Sequence, residues 1–449
     1  MTELKAIDLT RIPAAVRLIV SRLRQQGWET CLVGGCVRDL QLGINPTDWD
    51  LATAAMPWQV SQTFPQLEQL EQGLKHGTLG LVLDKQVYEV TTFRREGDYR
   101  DHRHPDQVLF TTDINSDLAR RDFTMNAMAW WEEGGLRDPF GGQADLRQGL
   151  LRCVGQPERR FQEDALRMMR ALRFMAVRGF SLQADTARAL QEHRSELTLV
   201  AAERLRAELD RLLTGDYLLP VLLDWKDTLA VVLPEIRPLF GLKQPLPWHI
   251  YDAWVHSARA AAEIAPQLRL RLAALCHDLG KGETASFKDG NIHFYGHAEV
   301  SRRLGDELLL RLKYPNELRQ TVTHLVARHD VEIPLKATAV RRRLQEFGQA
   351  GLRDLLELKR ADIMAQNPEL WPRRLAYLRQ LDSLVQDELN RGSCFSLKDL
   401  AVNGRDLMAL GLSGPAVGQG LQALLDRVVD GNLPNERQIL LRAAQNLLR

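Results

Sequence analysis

Two aspartates one residue apart, Asp48 and Asp50 in the run PTDWDLAT, are the first side chains in the sequence that could do chemistry. The alternation of polar and apolar residues over 48–53 predicts a half-buried strand, on which alternate side chains face the same side. Two carboxylates aimed at one point repel each other unless a cation lies between them, and carboxylate oxygens suit Mg²⁺. Taken alone, such a pair is more often a solvated feature of an edge strand.

A double glycine precedes this pair. The apolar run TCLV enters Gly34 and Gly35, and VRDLQLG follows. This order predicts a strand, a tight turn and a helix. Glycines at such a turn allow backbone N–H groups to approach a triphosphate closely.

The surrounding elements predict a mixed α/β region over residues 1–150. Residues 9–26 have helical apolar spacing, and 79–83 and 87–93 form a hairpin pattern around 84–86. Glu89 in this hairpin is a candidate third carboxylate. After residue 151, leucine- and arginine-rich helical patterns replace the strand signals, so an α+β head precedes a helical body.

A second pair of charges lies in the run EDALRMMRALRF. The run predicts one helix over 163–173, on which Asp164 and Arg167 share a face with Met168 and Ala171. The pair has two interpretations: an intrahelical salt bridge on a solvated face, or a pair of groups that contacts a ligand.

Histidines and aspartates dominate a third region. The segments WVHSA, LCHDLGKG, YGHAE, ARHD and RADIM contain His256, His277-Asp278, His297, His329 and Asp362. Imidazole and carboxylate ligands brought together by packed helices suit a transition metal better than Mg²⁺ alone. A single helical histidine is usually structural, and that alternative stays open for each of these residues.

The amino-acid composition limits the classes of protein to which the chain can belong. The chain has 449 residues, 45% hydrophobic and 26% charged, with net charge +1, as in an ordinary multidomain globular protein. No run approaches the roughly 20 apolar residues of a membrane span, and the N-terminal segment lacks the apolar core of a signal peptide. The five cysteines form no CxxC pair, which argues against a disulfide framework or a cysteine zinc site. We therefore expect a cytosolic protein without a membrane partner.

The motifs LVGGCVRDLQLG, PTDWDLAT, KHGTLGLV, YEVTTFRREGDYRDHRHP, DLARRDFTMNAMA and EDALRMMRALRF occur in this order over residues 32–174. Together they resemble the bacterial class II tRNA nucleotidyltransferase (CCA-adding) and poly(A) polymerase family, within the DNA polymerase β-like superfamily. The resemblance implies a polymerase β-like α/β head followed by helices. It also implies that Asp48 and Asp50 are catalytic and hold Mg²⁺. The nucleotide-binding residues that it implies are Gly35, Arg38, Arg121, Asp164, Arg167, Arg170 and Arg173.

In this family an Asp–Arg pair matching Asp164 and Arg167 acts as an amino-acid template for the incoming base. Cytosine and adenine both present an amino donor beside a ring-nitrogen acceptor, which a carboxylate and a guanidinium complement. Uracil and guanine reverse that pattern and leave both protein groups mispaired.

The histidine-rich region resembles an HD phosphohydrolase domain. This implies metal ligation by His256, His277, Asp278 and Asp362, with His297 and His329 completing a second site or binding a substrate phosphate. The expected division is a head (1–150), a nucleotide- and RNA-binding neck (151–245), an HD domain (246–365) and a tRNA-binding helical tail (366–449).

The resemblance implies addition of CCA, or part of it, to tRNA from CTP and ATP. Alternatives are an enzyme that adds only the terminal A, a poly(A) polymerase, or a protein that is primarily an HD phosphohydrolase. Family members that add only CC lack part of a head loop. The corresponding loop at 94–105 is full length, which predicts addition of the terminal A.

Overall fold

The computed structural model describes residues 3–97, 107–288 and 290–446. The chain divides into two compact units, Met1–Val232 and Leu233–Arg449. The head loop at 94–105 lies outside the described residues from position 98 onward. Among the described helices, none combines the length and apolar composition that spanning a membrane requires.

The first unit is built on a seven-stranded sheet with the order β3-β4-β5-β2-β1-β8-β9. Within it β2 and β5 run parallel, and every other neighbouring pair is antiparallel. The strands of this unit, including two short additional pairs, are β1 (Thr30–Val33), β2 (Asp50–Thr53), β3 (Glu68–Leu70), β4 (Thr78–Leu83), β5 (Gln86–Thr92), β6 (Arg94–Glu96), β7 (Val108–Phe110), β8 (Ala129–Trp131), β9 (Gly135–Arg137), β10 (Leu150–Leu151) and β11 (Ser181–Leu182).

Helices lie between these strands in the sequence, and beyond residue 157 nearly all elements of the first unit are helices. They are α1 (Ala14–Gln25), α2 (Gly35–Gln41), α3 (Pro57–Thr63), α4 (Ile114–Ala119), α5 (Gly142–Gln148), α6 (Pro157–Glu163), α7 (Leu166–Arg178), α8 (Ala184–His193), α9 (Ala202–Leu213), α10 (Leu218–Asp224) and α11 (Lys226–Val232). The single helix predicted over 9–26 is a 3₁₀ turn at Leu9–Arg11 followed by α1, because Pro13 precedes the first α-helical residue.

The predicted strand, turn and helix around the double glycine are present. All four residues of β1 are buried, and Gly34 follows with φ 74° and ψ −129° before α2 begins at Gly35. A non-glycine residue is strained at this φ. A Cβ on Gly34 would also lie 2.5 Å from Nη1 of Arg121. Gly34 is therefore required both for its backbone conformation and for space.

The predicted hairpin is also present, as β4 and β5 joined at Asp84 and Lys85. Both residues have positive φ, 50° and 65°. Two central residues with positive φ are what a tight type I′ turn requires, and its twist matches that of the strands.

The prediction of a single helix over 163–173 is wrong. The structure has two helices, α6 and α7, which are separated at Asp164, and the backbone of Asp164 is extended with φ −148° and ψ 102°. The Asp164 carboxylate accepts a hydrogen bond from the backbone N–H of Leu166 at 3.1 Å. This local bond offers the chain an alternative to continuing the helix, and no glycine or proline marks the break.

The second unit is mostly helical, as predicted, but it also contains a two-stranded hairpin. The hairpin β12 (Ala285–Lys288) and β13 (Asn291–Phe294) was not predicted, because its short runs alternate only weakly. The helices are α12 (Ala253–Glu263), α13 (Leu268–Cys276), α14 (Lys281–Thr284), α15 (His297–Arg311), α16 (Asn316–Arg328), α17 (Ala337–Met364), α18 (Trp371–Asn390), α19 (Gly404–Ala409), α20 (Pro415–Val429) and α21 (Arg437–Gln445).

Candidate active site and metal centre

The aspartate pair lies where β2 begins. The strand starts at Asp50, and Asp48 lies in the bend before it. The expectation that both lie on one strand is therefore wrong. Desolvation raises the pKa of the Asp50 carboxyl, an effect that Arg121 opposes and the charge of Asp48 reinforces. The two carboxylates thus act on each other without sharing a strand.

A third carboxylate neighbours the pair. Glu89 on β5 is the register partner of Asp50 on the parallel strand β2. Register partners point to the same side of a sheet. Asp50 and Glu89 therefore lie on the same side of the sheet, and carboxylate oxygens are the kind of ligand that Mg²⁺ takes.

Asp50 opens into a cavity of about 390 Å³. Seven arginines and three aspartates contribute to its wall, so the cavity is strongly cationic and suits an anionic ligand. The lining residues that the sequence predicted are Gly35, Arg38, Asp50, Arg121, Asp164, Arg167, Arg170 and Arg173. The lining residues that it did not assign are Gly34, Arg120, Asp122, Asn126, Leu166, Phe174 and Arg204.

The glycine turn forms one part of this wall. A Cβ on Gly35 would meet only Arg38 Nη2, at an ordinary 3.7 Å, so the space around Gly35 is less restricted than that around Gly34. Arg38 itself is buried and donates through Nη1 to Asn126 Oδ1 at 2.7 Å. The motif RRDFTMNAMA contains Asn126, so the signal for this residue was present in the sequence.

Acidic partners hold two further arginines of the wall in place. Arg170 donates through Nε to Asp122 Oδ2 at 2.8 Å. Burial opposes ionisation of Asp122, but the Arg170 charge and a hydrogen bond from Asn126 hold its pKa well below the usual range. Arg173 forms a 2.7 Å ion pair with Glu208 on α9, and burial lowers the pKa of Arg173 to about 10. The wall is thus positioned before any ligand arrives.

Asp164 and Arg167 both line the cavity, and each side chain bonds to residues outside the pair. Arg167 donates through Nη1 to Glu163 Oε2 at 2.7 Å and to the Arg160 carbonyl at 3.0 Å. Asp164 instead accepts from both Nη groups of Arg204, at 3.3 and 2.8 Å. Asp164 lies outside α7, which carries Arg167, and pairs with Arg204 of α9, so the prediction that both residues share one helix face is wrong.

The second unit contains a separate cluster of buried histidines and aspartates. His256 lies on α12, and Asp362 lies on α17. His277 and Asp278 follow α13 directly, at the point where the helix gives way to the Gly280 turn. His297 begins α15, and His329 directly follows α16. Five helices therefore deliver one or two side chains each to a common point.

All four histidines of this cluster are oriented by backbone carbonyls. Each Nδ1 lies 2.7–3.2 Å from a carbonyl oxygen, those of Ala365, Ala274, Phe294 and Val326. A carbonyl can only accept, so each Nδ1 carries the proton and donates. In the neutral ring, Nε2 is then the nitrogen with the lone pair, as a metal-binding histidine requires.

The Nε2 atoms converge in two groups on the two oxygens of Asp278. Oδ2 lies 3.3 Å from His256 Nε2 and 3.1 Å from His277 Nε2. Oδ1 lies 3.4 Å from His297 Nε2 and 3.7 Å from His329 Nε2. Asp278 thus faces two potential metal positions.

Asp362 completes the first of these groups, with its Oδ1 at 3.0 Å from His256 Nε2. The Nε2 atoms of His256 and His277 lie only 3.2 Å apart. Two lone pairs at that distance repel each other unless a cation or a proton lies between them. The predicted ligand set His256, His277, Asp278 and Asp362 is therefore brought together with the donor chemistry of a transition-metal site.

A lysine adds positive charge at the same aspartate. Lys281 donates through Nζ to Asp278 Oδ2 at 2.6 Å and to Gln244 Oε1 at 2.7 Å. Burial opposes ionisation of Asp278, but His277 and Lys281 hold its pKa well below the usual range. The carboxylate is therefore an anion available as a ligand.

A strand that enters a glycine turn, beside carboxylates and an arginine-rich cavity, is an arrangement suited to a nucleotidyltransferase, and the family models identify that class. Family models agree in order along the chain. Residues 30–152 match the poly A polymerase head domain, 179–239 match the RNA- and SrmB-binding site of polymerase A, and 297–444 match tRNA nucleotidyltransferase domain 2.

Relatives match nearly the whole chain. It is 35% identical to the CCA-adding enzyme of Geobacillus stearothermophilus over 428 residues, 94% of this chain and 93% of that protein. It is 34% identical to the CCA-adding enzyme of Lactiplantibacillus plantarum over 443 residues, 97% and 98% of the two chains. The crystal structure of the Bacillus stearothermophilus CCA-adding enzyme in complex with CTP matches with a TM-score of 0.69 at 30% identity, covering 98% of each chain. The chain belongs to the CCA-adding enzyme family.

Proposed function

We propose that this protein adds CCA to the 3′ ends of tRNA, using CTP and ATP. The observation that carries the proposal is the cavity, which joins Asp50, the glycine turn and the pair Asp164 and Arg167 in one wall. The match to CCA-adding enzymes over 94% of the chain supports the same activity.

The chemistry required is attack of a tRNA 3′-hydroxyl on the α-phosphate of a nucleoside triphosphate, with pyrophosphate leaving. We propose that Asp48 and Asp50 hold Mg²⁺, with Glu89 beside them as a further oxygen donor. Bound Mg²⁺ supplies stabilisation of the attacking and leaving oxygens. Arg38, Arg121 and other arginines of the wall neutralise the triphosphate, and their acidic partners keep them in place before it binds.

Base selection falls to Asp164 and Arg167 in this proposal. The carboxylate accepts from the amino group of cytosine or adenine, and the guanidinium donates to the adjacent ring nitrogen. Glu163 and the carbonyl oxygens of Arg160 and Arg120 accept from the Arg167 guanidinium and hold it in the cavity wall.

The test is incorporation of each nucleotide separately into three tRNA transcripts, ending before, within and after CCA. We expect CTP to extend the first and ATP to extend the transcript ending in CC. The completed transcript should accept neither. An unrelated RNA should also remain unextended. Extension of that RNA by ATP would favour a poly(A) polymerase, and addition of A alone to the CC transcript would favour an A-adding enzyme.

We propose a second activity, metal-dependent hydrolysis of phosphate esters, at the histidine cluster of the second unit. The observation that favours it is the bonding of all four Nδ1 atoms to backbone carbonyls while the Nε2 atoms converge on Asp278. His256, His277, Asp278 and Asp362 would hold one divalent transition metal. Asp278, His297 and His329 would hold a second. Such ions supply Lewis-acid stabilisation of a phosphate oxygen.

The second activity is tested with p-nitrophenyl phosphate and 2′,3′-cyclic AMP in the presence of Mn²⁺ or Co²⁺. We expect turnover that EDTA removes and added metal restores. Absence of hydrolysis with both substrates, together with absence of metal from the purified protein, would contradict the proposal.

We also propose the functional division into head (1–150), neck (151–245), HD domain (246–365) and tail (366–449). The tail has a hydrophobic core of its own, formed by buried residues from Cys394 to Ala444, which supports it as a separately packed segment. All five cysteines are buried and free, and this supports action in the reducing cytosol.

A further inference from the structure

Asp164 occupies a backbone break, which limits how its side chain can be directed. The residue lies between α6 and α7 with extended φ and ψ. Its Oδ1 accepts from the Leu166 N–H at 3.1 Å. One oxygen of the carboxylate is therefore tied to the start of the helix that also carries Arg167.

Arg204 determines where the rest of the carboxylate points. This residue is on α9, and its Nη1 and Nη2 donate to Oδ1 at 3.3 Å and to Oδ2 at 2.8 Å. The side chains of Arg204 and Asp164 are 26% and 18% exposed, so water weakens this pair only in part. Both residues line the cavity. A two-point contact between a planar guanidinium and a carboxylate fixes the plane of both groups.

The Asp164 carboxylate has only a few sites that can accept hydrogen bonds. An ionised carboxylate has about four lone-pair sites. The Leu166 N–H and the Arg204 guanidinium occupy three of them. The site that remains is on Oδ2, and a single acceptor is what the exocyclic amino group of cytosine or adenine needs. A carboxylate in its ionised form has no proton to donate to the carbonyl of uracil or guanine.

We propose that Arg204 is a positioning residue for base choice, which directs one free acceptor of Asp164 at the amino group of the incoming base. This inference rests on the proposed nucleotide addition and assigns part of its specificity to α9. Arg204 acts through Asp164 and not on the reacting atoms, so it should affect selectivity more than turnover of the correct nucleotide.

The test compares wild type with Arg204→Met, which removes charge and hydrogen bonds, and Arg204→Lys, which keeps only charge. Arg188→Met is the control, an exposed arginine on α8 that pairs with Asp185 and does not line the cavity. The readout is kcat/KM for CTP divided by kcat/KM for UTP, and for CTP divided by a pyrimidin-2-one nucleotide that lacks the amino group. We expect Arg204→Met to lower both ratios about tenfold to a hundredfold, as for a lost charged hydrogen bond. Arg204→Lys should lie between Arg204→Met and wild type, and Arg188→Met should match wild type.

A double mutant distinguishes positioning from structural support. If Arg204 acts through Asp164, then Asp164→Ala with Arg204→Met should have the same base ratios as Asp164→Ala alone. Equal losses for CTP and UTP in Arg204→Met and Arg204→Lys, with unchanged ratios, would overturn the role of Arg204 while leaving nucleotide addition intact. Failure of wild-type protein to incorporate CTP at all would overturn the proposed function and this inference with it.

Discussion

The carboxylate site of the head and the histidine cluster of the second unit are organised in opposite ways. Asp48 is exposed in a bend, and Asp50 opens into a cavity whose arginines are already paired with acids. In the second unit, His256 and His277 are fully buried, and backbone carbonyls orient their rings. The head therefore presents an open arrangement of charges, and the second unit presents a preformed ligand shell.

This difference indicates how each site acquires its metal. Mg²⁺ keeps several waters and binds through one or two carboxylates together with substrate phosphates, which suits the open head site. A buried set of oriented imidazoles suits a transition metal that stays bound through purification. We therefore expect a metal that arrives with the nucleotide in the head, and resident metals in the second unit.

The largest expected effect is on the head alone. Asp50→Ala and Asp48→Ala should each lower the rate of nucleotide addition by several orders of magnitude, because stabilisation of the attacking and leaving oxygens is lost. Binding of tRNA in a gel-shift assay should persist. Asp185→Ala, an exposed carboxylate on α8, is the control and should retain full activity. Near-normal incorporation by both head mutants would refute the assignment of the pair.

The next effect is specific to the second unit. Asp278→Asn or His277→Ala should remove bound transition metal, measured by elemental analysis, and abolish hydrolysis of phosphate esters. Addition of nucleotides should change little. His324→Ala serves as the control, because His324 lies on α16 outside the cluster and faces Glu346. A parallel loss of both activities in a folded mutant would contradict the independence of the two sites.

A third prediction concerns the head loop and rests on the sequence alone. Deleting residues 96–104 should remove addition of the terminal A and spare addition of C, since this charged loop is expected to reorganise the pocket after the second C. The measurement is the extension of transcripts ending before and after CC, with CTP and ATP separately. An equal loss of C and A addition would show that the loop has no selective role.

A smaller effect is expected at the base-selecting pair. Asp164→Ala should weaken discrimination against UTP and GTP more than it weakens triphosphate affinity, because a mispaired carboxylate no longer disfavours the wrong bases. Nucleotide affinity by equilibrium titration and kcat/KM ratios test this together. If kcat/KM falls equally for all four nucleotides and the selectivity is unchanged, Asp164 has a structural role.

The sequence predicted well those parts of the fold that local patterns determine. The buried run TCLV, the glycine turn and the hairpin at Asp84 and Lys85 follow from periodicity and turn chemistry. The start of β2 at Asp50 was missed by two residues, because alternation does not distinguish a strand from the bend before it.

The remaining features depend on contacts between distant segments. The break at Asp164 carries no glycine or proline, and its partner Arg204 lies 40 residues away, so no local pattern joins the two. The second group of histidines also depends on contacts between distant segments. His297 and His329 were expected either to bind a second metal or to bind phosphate, and their approach to Asp278 Oδ1 follows only from the packing of α15 and α16.

The most direct test of the central claim is sequencing of tRNA 3′ ends after incubation with all four nucleoside triphosphates at equal concentration. The substrate should be a mixture of transcripts ending before C, after one C and after two. We predict that every product ends in CCA and is extended no further, and that Asp50→Ala leaves all three transcripts unchanged. Runs of A beyond the CCA end, or ends containing U or G at comparable frequency, would contradict the account.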